Sequence, residues 1–253
     1  MKLHKANFCR VRLCPICQWR RSLKTFAQMN KVISVAEKDY SFIHLVLTVP
    51  NCSGDNLSKT LDKMFKAFSN KFAKYARFKK AVKGYYRGME VTHNLEADTY
   101  HPHFHCLLAV NKSYFTSRDY IKRAEWLELW RKAMGDKTIT QVHVSKIKNG
   151  TAKAIAEVAK YTCKPSDIIC YDDWDLTVDT VKVLDKSLNK RRFIGLGGVL
   201  RDIHKALNLD DIEDGDLTHI EADESELSND EKNIISFYWH TGYNQYVKGK
   251  KEC

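Results

Sequence analysis

The sequence lacks an apolar run of the roughly 20 residues that a membrane-spanning helix requires, and it lacks the pattern of a secretory signal peptide. It also has no internal repeat. Its eight cysteines are not spaced as a disulfide framework, which favours reduced thiols or metal ligands. These absences predict a soluble protein of the cytoplasm that has no membrane partner. With 253 residues, 43% of them hydrophobic, the chain can bury a substantial core.

Basic residues are absent from residues 210–231, which contain eleven Asp or Glu residues. All 42 Lys and Arg residues lie elsewhere in the chain, together with only 20 of the 31 acidic residues. Such a positive excess favours a polyanionic partner, and nucleic acid is the first candidate. Lysine-rich helix faces that are merely solvated are the alternative. The acidic stretch has few apolar residues, which predicts a disordered or extended linker.

Three cysteines lie close together near the N-terminus. Cys14 and Cys17 are two residues apart, a spacing that lets both thiolates reach one tetrahedral zinc ion. Cys9 supplies a third ligand, and the fourth is His4 or a residue outside this segment. A redox Cys-x-x-Cys pair and unrelated core cysteines are the alternatives. Four arginines that could contact phosphates surround the predicted zinc knuckle: Arg10, Arg12, Arg20 and Arg21.

Histidines occupy alternate positions in the segment His101-Pro102-His103-Phe104-His105. Successive side chains of a β-strand point to opposite faces, so the three histidines share one face, and Phe104, Cys106 and Leu108 share the other. Two imidazoles on one strand face, two residues apart, converge on a point above the sheet. The pattern therefore predicts a metal site, and a polar strand face beside a turn is the alternative.

Residues 84–93 predict a second strand that pairs with the histidine strand. A hairpin closed near residue 96 or 97 places Glu90 opposite His103. A carboxylate beside two histidines suits a hard divalent ion such as Mg²⁺ or Mn²⁺. His93 falls on the opposite face of its strand and is the weaker candidate.

Residues 151–163 have a strong helical pattern in which Glu157 and Tyr161 lie one turn apart on the same face. Lys153 and Lys164 lie on or near that face. A tyrosine with a carboxylate one turn away is a candidate nucleophile with a neighbouring base. A tyrosine that packs into the core is the alternative.

The remaining patterns alternate between helices and strands, which indicates an α+β protein. Helices are predicted over 18–38, 55–80, 116–134, 174–189 and from about 199 to 207, and strands over 41–49, 138–147 and 191–198. An aromatic segment, residues 234–247, is predicted to dock as a strand or hairpin.

These segments together resemble the replication initiator (Rep) proteins of small rolling-circle plasmids, which belong to the HUH endonuclease superfamily. The resemblance spans residues 9–164. It rests most strongly on His101-Pro102-His103-Phe104-His105 and on Glu157-Val158-Ala159-Lys160-Tyr161. Supporting segments are Cys9 to Cys17 with Trp19-Arg20-Arg21, Leu45-Val46-Leu47-Thr48-Val49-Pro50-Asn51, and Glu90-Val91-Thr92-His93-Asn94.

The resemblance implies that His103 and His105 are the metal-ligand pair of this superfamily, with Glu90 as the third ligand on the hairpin geometry above. His101 is a further candidate for the metal or the active site. The resemblance makes Tyr161 the nucleophile and Glu157 the carboxylate that activates water for the terminating cleavage. It also implies an antiparallel sheet flanked by helices, a ferredoxin-like or RRM-like palm.

The implied reaction is nicking of one strand of the plasmid origin, which produces a 5′-phosphotyrosine link and a 3′-OH primer. The substrate is origin DNA presented as a hairpin or single strand, read in part by Arg20, Arg21, Lys153 and Lys164. The cofactors are catalytic Mg²⁺ or Mn²⁺ and structural Zn²⁺. A host helicase and DNA polymerase are the implied partners, and the oligomeric state stays open.

The predicted organisation has four parts: a zinc knuckle in residues 1–20, a nicking and ligation domain in 21–209, an acidic linker in 210–232 and an aromatic segment in 233–253. Family members commonly have more sequence upstream of the first cysteine, which could supply a further zinc ligand. Two other functions fit the same motifs. One is a zinc-dependent DNA-binding regulator that does not cut DNA, and the other is a relaxase or transposase of the same superfamily.

Overall fold

The computed structural model describes residues 6–147, 163, 167–219, 237–243 and 245–248. The chain divides into two compact units, residues 1–223 and 224–253, which are described separately. In the described part of the first unit, antiparallel strands form one sheet with helices on both faces. This arrangement confirms the predicted α+β fold.

In the described residues of the first unit, helices and strands are interspersed along the chain. The helices are α1 (Pro15–Ala36), α2 (Gly54–Asn70), α3 (Ala76–Ala81), α4 (Arg123–Met134), α5 (Trp174–Leu188) and α6 (Val199–Ala206). The strands are β1 (Tyr40–Thr48), β2 (Val82–Asn94), β3 (Thr99–Asn111), β4 (Val142–Lys146) and β5 (Ile194–Gly198). Short 3₁₀ turns cover Phe72–Lys74 and Tyr114–Thr116.

The long helix predicted over residues 55–80 is broken near its end. Lys71 leaves the helical region with φ −124° and ψ −67°, and Tyr75 is extended with ψ 136°. The break has a packing reason, because it lets both Phe72 and Phe78 turn into the core, where they are buried.

The helix predicted over residues 116–134 begins later, at Arg123. Thr116 ends a 3₁₀ turn instead of capping the helix, and the Asp119 carboxylate lies 3.0 Å from the ammonium of Lys80. Asp119 therefore contacts α3 and precedes the first residue of α4.

The five strands are ordered β4-β1-β3-β2-β5, and every neighbouring pair is antiparallel. The strand β3, which carries the histidines, is therefore the central strand, with β1 on one side and β2 on the other. Both of its edges are hydrogen-bonded within the sheet.

The two faces of the sheet have separate cores. On one face Phe104, Cys106 and Leu108 are buried with side chains from α2, α4 and α5, as the alternation predicts. On the other face Leu107 and Ala109 are buried with α1 and α6. The histidines of β3 lie on this second face, beyond the end of its apolar core.

Replacement of Phe104 by alanine is expected to destabilise the fold by about 3–5 kcal/mol. Its ring is fully buried, with ring centroids 5.4 Å from Phe65, 5.6 Å from Phe68 and 6.3 Å from Trp130. Urea unfolding followed by circular dichroism measures the change. Tyr171→Ala is the control, because that side chain is 90% exposed and its loss should change the unfolding free energy by less than about 0.5 kcal/mol. A midpoint for Phe104→Ala equal to that of the wild type would contradict the packing described.

The beginning of the acidic stretch packs against α1. In residues 210–219 the side chains of Ile212 and Leu217 are buried, and the Lys24 ammonium lies 2.7 Å from the Asp210 carboxylate. The structure therefore differs here from the predicted linker. The reason is that two apolar residues among the acids, together with basic groups on α1, are sufficient to hold this part of the chain.

The described residues of the second unit form a β-hairpin. Its strands, β6 (Phe237–His240) and β7 (Gln245–Lys248), pair in antiparallel register. This agrees with the strand or hairpin predicted for residues 234–247.

Among the described residues, no helix is both long and apolar enough to cross a membrane.

Candidate metal centre

The hairpin of β2 and β3 places Glu90 directly opposite His103, as the predicted loop position requires. The connecting loop is short, and the side-chain oxygen of Asn94 accepts hydrogen bonds from the backbone N–H groups of Glu96 and Ala97, both at 3.1 Å. Asparagine commonly stabilises a turn in this way. The loop chemistry therefore fixes the register that brings the carboxylate to the histidines.

Glu90, His103 and His105 form a compact cluster on the second face of the sheet. The Glu90 Oε2 atom lies 2.8 Å from Nε2 of His105 and 3.3 Å from Nε2 of His103. The candidate ligand atoms all lie within 4.8 Å of one another. All three side chains are largely buried, with residue exposures of 4%, 9% and 8% respectively. One carboxylate and two imidazoles converging in this way fit a single divalent cation.

The cluster keeps its carboxylate ionised. Burial by itself would raise the pKa of Glu90. Hydrogen bonds to His103 and His105, together with their positive charge when protonated, lower that pKa well below its ordinary value. The buried charge is thus stabilised by the same imidazoles that would share a metal ion with it.

The orientation of His103 is fixed by the backbone. Its Nδ1 lies 3.1 Å from the carbonyl oxygen of His101, to which an Nδ1–H donates. Because Nδ1 carries the proton of a neutral His103 ring, Nε2, the nitrogen that faces Glu90, would be the atom that offers its lone pair to a metal ion. A ligating histidine usually has such a partner on its second nitrogen.

His101 lies outside the cluster of three. Its ring centroid is 5.2 Å from that of His103, and its ring donates a hydrogen bond to the carbonyl of Val49. Burial, with a smaller contribution from the charge of His103, lowers the pKa of His101. A neutral, half-buried His101 thus sits at the rim of the site.

His93 points to the other face of the sheet, as its position in the strand predicts. Its Nε2 lies 2.9 Å from the Asp98 carboxylate, and its Nδ1 lies 3.3 Å from the Thr180 hydroxyl. Its ring stacks on Tyr100 with centroids 4.2 Å apart. These contacts hold His93 in the packing between the sheet and α5.

Cys9, Cys14 and Cys17 come together at the start of α1. Their sulfur atoms lie within 4.8 Å of one another, and those of Cys9 and Cys17 are 3.6 Å apart. Burial raises the pKa of the Cys17 thiol to about 12. Burial also acts on Cys14, but hydrogen bonds from the Cys17 backbone N–H and the Cys9 thiol lower the pKa of Cys14. Three converging sulfurs are a donor set suited to Zn²⁺.

Two of the arginines predicted to contact DNA, Arg20 and Arg21, differ in their surroundings. The Arg20 side chain is buried, and its guanidinium donates to the carbonyls of Leu217 at 2.8 Å and Thr218 at 2.9 Å. Arg21 is only half-buried and donates to the carbonyl of Arg10. The guanidinium of Arg20 is therefore engaged by the acidic stretch, and that of Arg21 is the more accessible of the two.

Five predicted site residues lie outside the described residues. They are His4, Lys153, Glu157, Tyr161 and Lys164.

The sequence as a whole matches a family model described as replication protein, over residues 1–247. A protein named Protein rep from Bacillus amyloliquefaciens is 39% identical, in an alignment that covers 98% of this chain and 78% of the relative. A Protein rep from Streptococcus pneumoniae is 35% identical over 99% of this chain and 78% of the relative. No solved structure matches the chain.

The chain therefore belongs to the replication protein family, and the resemblance to replication initiators is confirmed. A third relative, a Protein rep from Staphylococcus aureus, is 45% identical over 66% of this chain and 74% of its own length.

Proposed function

We propose that this replication initiator nicks one strand of its plasmid origin with a tyrosine nucleophile and a divalent metal ion. The observation that carries the proposal is the convergence of Glu90, His103 and His105 on one point. A buried carboxylate beside two imidazoles is a candidate functional group, since buried charges are costly unless they are paired or bind a metal ion.

Glu90, His103 and His105 are the residues that would hold Mg²⁺ or Mn²⁺. When bound, such an ion supplies positive charge that polarises a phosphodiester and stabilises the charge that develops on its oxygens. These three side chains would hold such an ion over the first half of β3, beside the apolar core of the second face.

Tyr161 is the proposed nucleophile. Its hydroxyl oxygen forms a bond to phosphorus while the bond from phosphorus to the 3′-oxygen breaks. The phenolic proton is lost and the departing 3′-oxygen gains a proton, which leaves a 5′-phosphotyrosine link and a free 3′-OH. The covalent link conserves the energy of the broken bond, so no nucleotide cofactor is needed for rejoining.

The surroundings of Cys163 support this role for Tyr161. Cys163 is buried, and its thiol accepts a hydrogen bond from the backbone N–H of Val91, the residue after Glu90. Tyr161 is two positions before Cys163 in the sequence, and two residue steps of extended chain span at most about 7 Å between Cα atoms. Chain connectivity alone is therefore compatible with a nucleophile near the edge of β2.

Glu157 is proposed to activate or orient the water that ends the reaction. Glu157→Ala should leave the first nick within about threefold of wild type and slow hydrolytic termination by about 100-fold or more. Quenched-flow assays of origin oligonucleotides separate the two steps. Glu37→Ala, at an exposed glutamate after α1, is the control. Termination at the wild-type rate in Glu157→Ala would remove the role assigned to this carboxylate.

The proposal is tested by incubating the protein with a supercoiled plasmid that carries its origin and with Mg²⁺ or Mn²⁺. Nicked circles with protein attached to the 5′ end are expected. Binding without nicking would favour the DNA-binding regulator instead. A preference for a transfer origin over the replication hairpin would favour a relaxase.

The same proposal includes DNA binding by the basic surface and structural zinc at the cysteine cluster. It also includes a host helicase and a host DNA polymerase as partners. The excess of 42 Lys and Arg over 31 Asp and Glu residues suits a phosphate backbone. A single-stranded or extruded substrate fits a tyrosine nucleophile, because the scissile phosphate must approach the metal ligands closely.

A further inference from the structure

His44 lies on β1, next to the histidine strand and on the same face of the sheet. The register of β1 and β3 pairs Val46 with His105 and His44 with Leu107, so His44 is the diagonal neighbour of His105. Its Nε2 lies 3.2 Å from Nδ1 of His105. The two rings are nearly parallel, at 8° with centroids 5.4 Å apart.

The two nitrogens of His105 face different groups. Nε2 faces the Glu90 carboxylate at 2.8 Å, and Nδ1 faces His44. A neutral imidazole carries one proton, so Nε2 can offer its lone pair to a metal only when the proton is on Nδ1. That proton then needs an acceptor, and Nε2 of His44 is within hydrogen-bond distance.

We infer that His44 is a positioning residue for the metal centre: when Nε2 of His105 ligates an ion, His44 accepts the Nδ1–H of His105 and so holds this ligand in the metal-binding tautomer and orientation. The inference rests on the metal site proposed above. His44 does not ligate the ion itself in this arrangement, because its Nε2 is directed at Nδ1 of His105.

The two ligand histidines differ in how they are held. His103 donates to a backbone carbonyl, that of His101, which no side-chain substitution at position 101 removes. His105 faces a side chain at the corresponding nitrogen. A substitution of His44 can therefore disturb the orientation of His105 while all three proposed ligands stay in place.

The experiment measures Mn²⁺ binding to the DNA-free protein by isothermal titration calorimetry, without any activity readout. His44→Leu is expected to weaken Mn²⁺ binding by about 10- to 100-fold, the usual cost of losing such a partner. His44→Gln, whose amide oxygen can accept the same proton, is expected to restore most of the affinity. Equal affinity in wild type, His44→Leu and His44→Gln would overturn the inference.

His143 provides the matched control. It is an exposed histidine on β4 whose ring lies 6.4 Å from that of His44, at 65°. His143→Leu removes a neighbouring imidazole of the same size and should change Mn²⁺ affinity by less than about twofold. A loss as large as that in His44→Leu would mean that general charge near the site, and not the contact with His105, sets the affinity.

Nitrogen NMR of the imidazoles separates this inference from the proposed metal site. With Mg²⁺ bound, the Nδ1–H form of His105 should dominate in the wild type and give way to a mixture in His44→Leu. A wild type that binds neither Mn²⁺ nor Mg²⁺ would remove the metal site and, with it, the inference, whereas a wild type that binds Mn²⁺ with the same affinity as His44→Leu would remove only the role of His44. An unchanged tautomer of His105 in both His44→Leu and His44→Gln would remove the role of His44, whatever the metal affinity.

Discussion

Tyr161→Phe is expected to abolish nicking, with a loss of at least about 10⁴-fold in the rate of the first strand cleavage. The change removes one oxygen atom, the one proposed to attack phosphorus, and leaves the ring in place. Losses of this size are typical when the nucleophile of a covalent mechanism is removed, because no other group can form the intermediate. Binding of the origin DNA should stay within about threefold of wild type.

The measurement has two parts, cleavage of a 3′-labelled origin oligonucleotide and transfer of that label to the protein. Both should disappear together in Tyr161→Phe. Tyr171→Phe is the matched control, because Tyr171 is 90% exposed and lies only ten residues further along the chain. Label transfer that persists in Tyr161→Phe would assign the nucleophile to another residue.

The second large effect is expected at the metal ligands. His103→Ala should lower the rate of nicking by about 10³-fold at moderate Mg²⁺ or Mn²⁺ concentrations, because the site loses one of three ligands and with it charge stabilisation of the scissile phosphate. The wild-type rate should fall similarly when the divalent ion is removed with a chelator, and it should return when the ion is restored.

His93→Gln is the control for His103→Ala. His93 lies ten residues before His103 on the paired strand, yet on the opposite face of the sheet and in contact with Thr180. The metal-concentration dependence of nicking should be unchanged in His93→Gln. A His103→Ala variant with the wild-type rate and the same dependence on Mg²⁺ would contradict the proposed centre.

Much of the site could be predicted from local patterns. The period of two in the histidine strand assigns His103 and Phe104 to opposite faces, and the structure confirms this. The position of the loop after Asn94 predicts the pairing of Glu90 with His103. Both predictions depend only on strand alternation and on a short hairpin, which neighbouring residues determine.

Features that depend on contacts between distant segments could not be predicted in the same way. His44 is a single histidine in an apolar strand, and its importance appears only because β1 pairs with β3. The burial of Ile212 and Leu217 depends on α1, about 190 residues earlier in the sequence. The helix breaks near Lys71 because the break lets Phe72 and Phe78 both pack into the same core. Helix propensity depends on local sequence and does not include this packing.

The proposed ligands His103 and His105 lie on the central strand, and this location affects how rigidly they are held for ion binding. His103 and His105 belong to a strand that is hydrogen-bonded to a neighbour along each edge, and Phe104 is anchored between them in the opposite core. A cation at the proposed centre would therefore meet side chains that are already largely ordered, so little conformational freedom would be lost on binding. Because rigid ligands cannot adjust to a cation of the wrong size, the size and hardness of the cation would determine which ion the proposed centre binds most tightly.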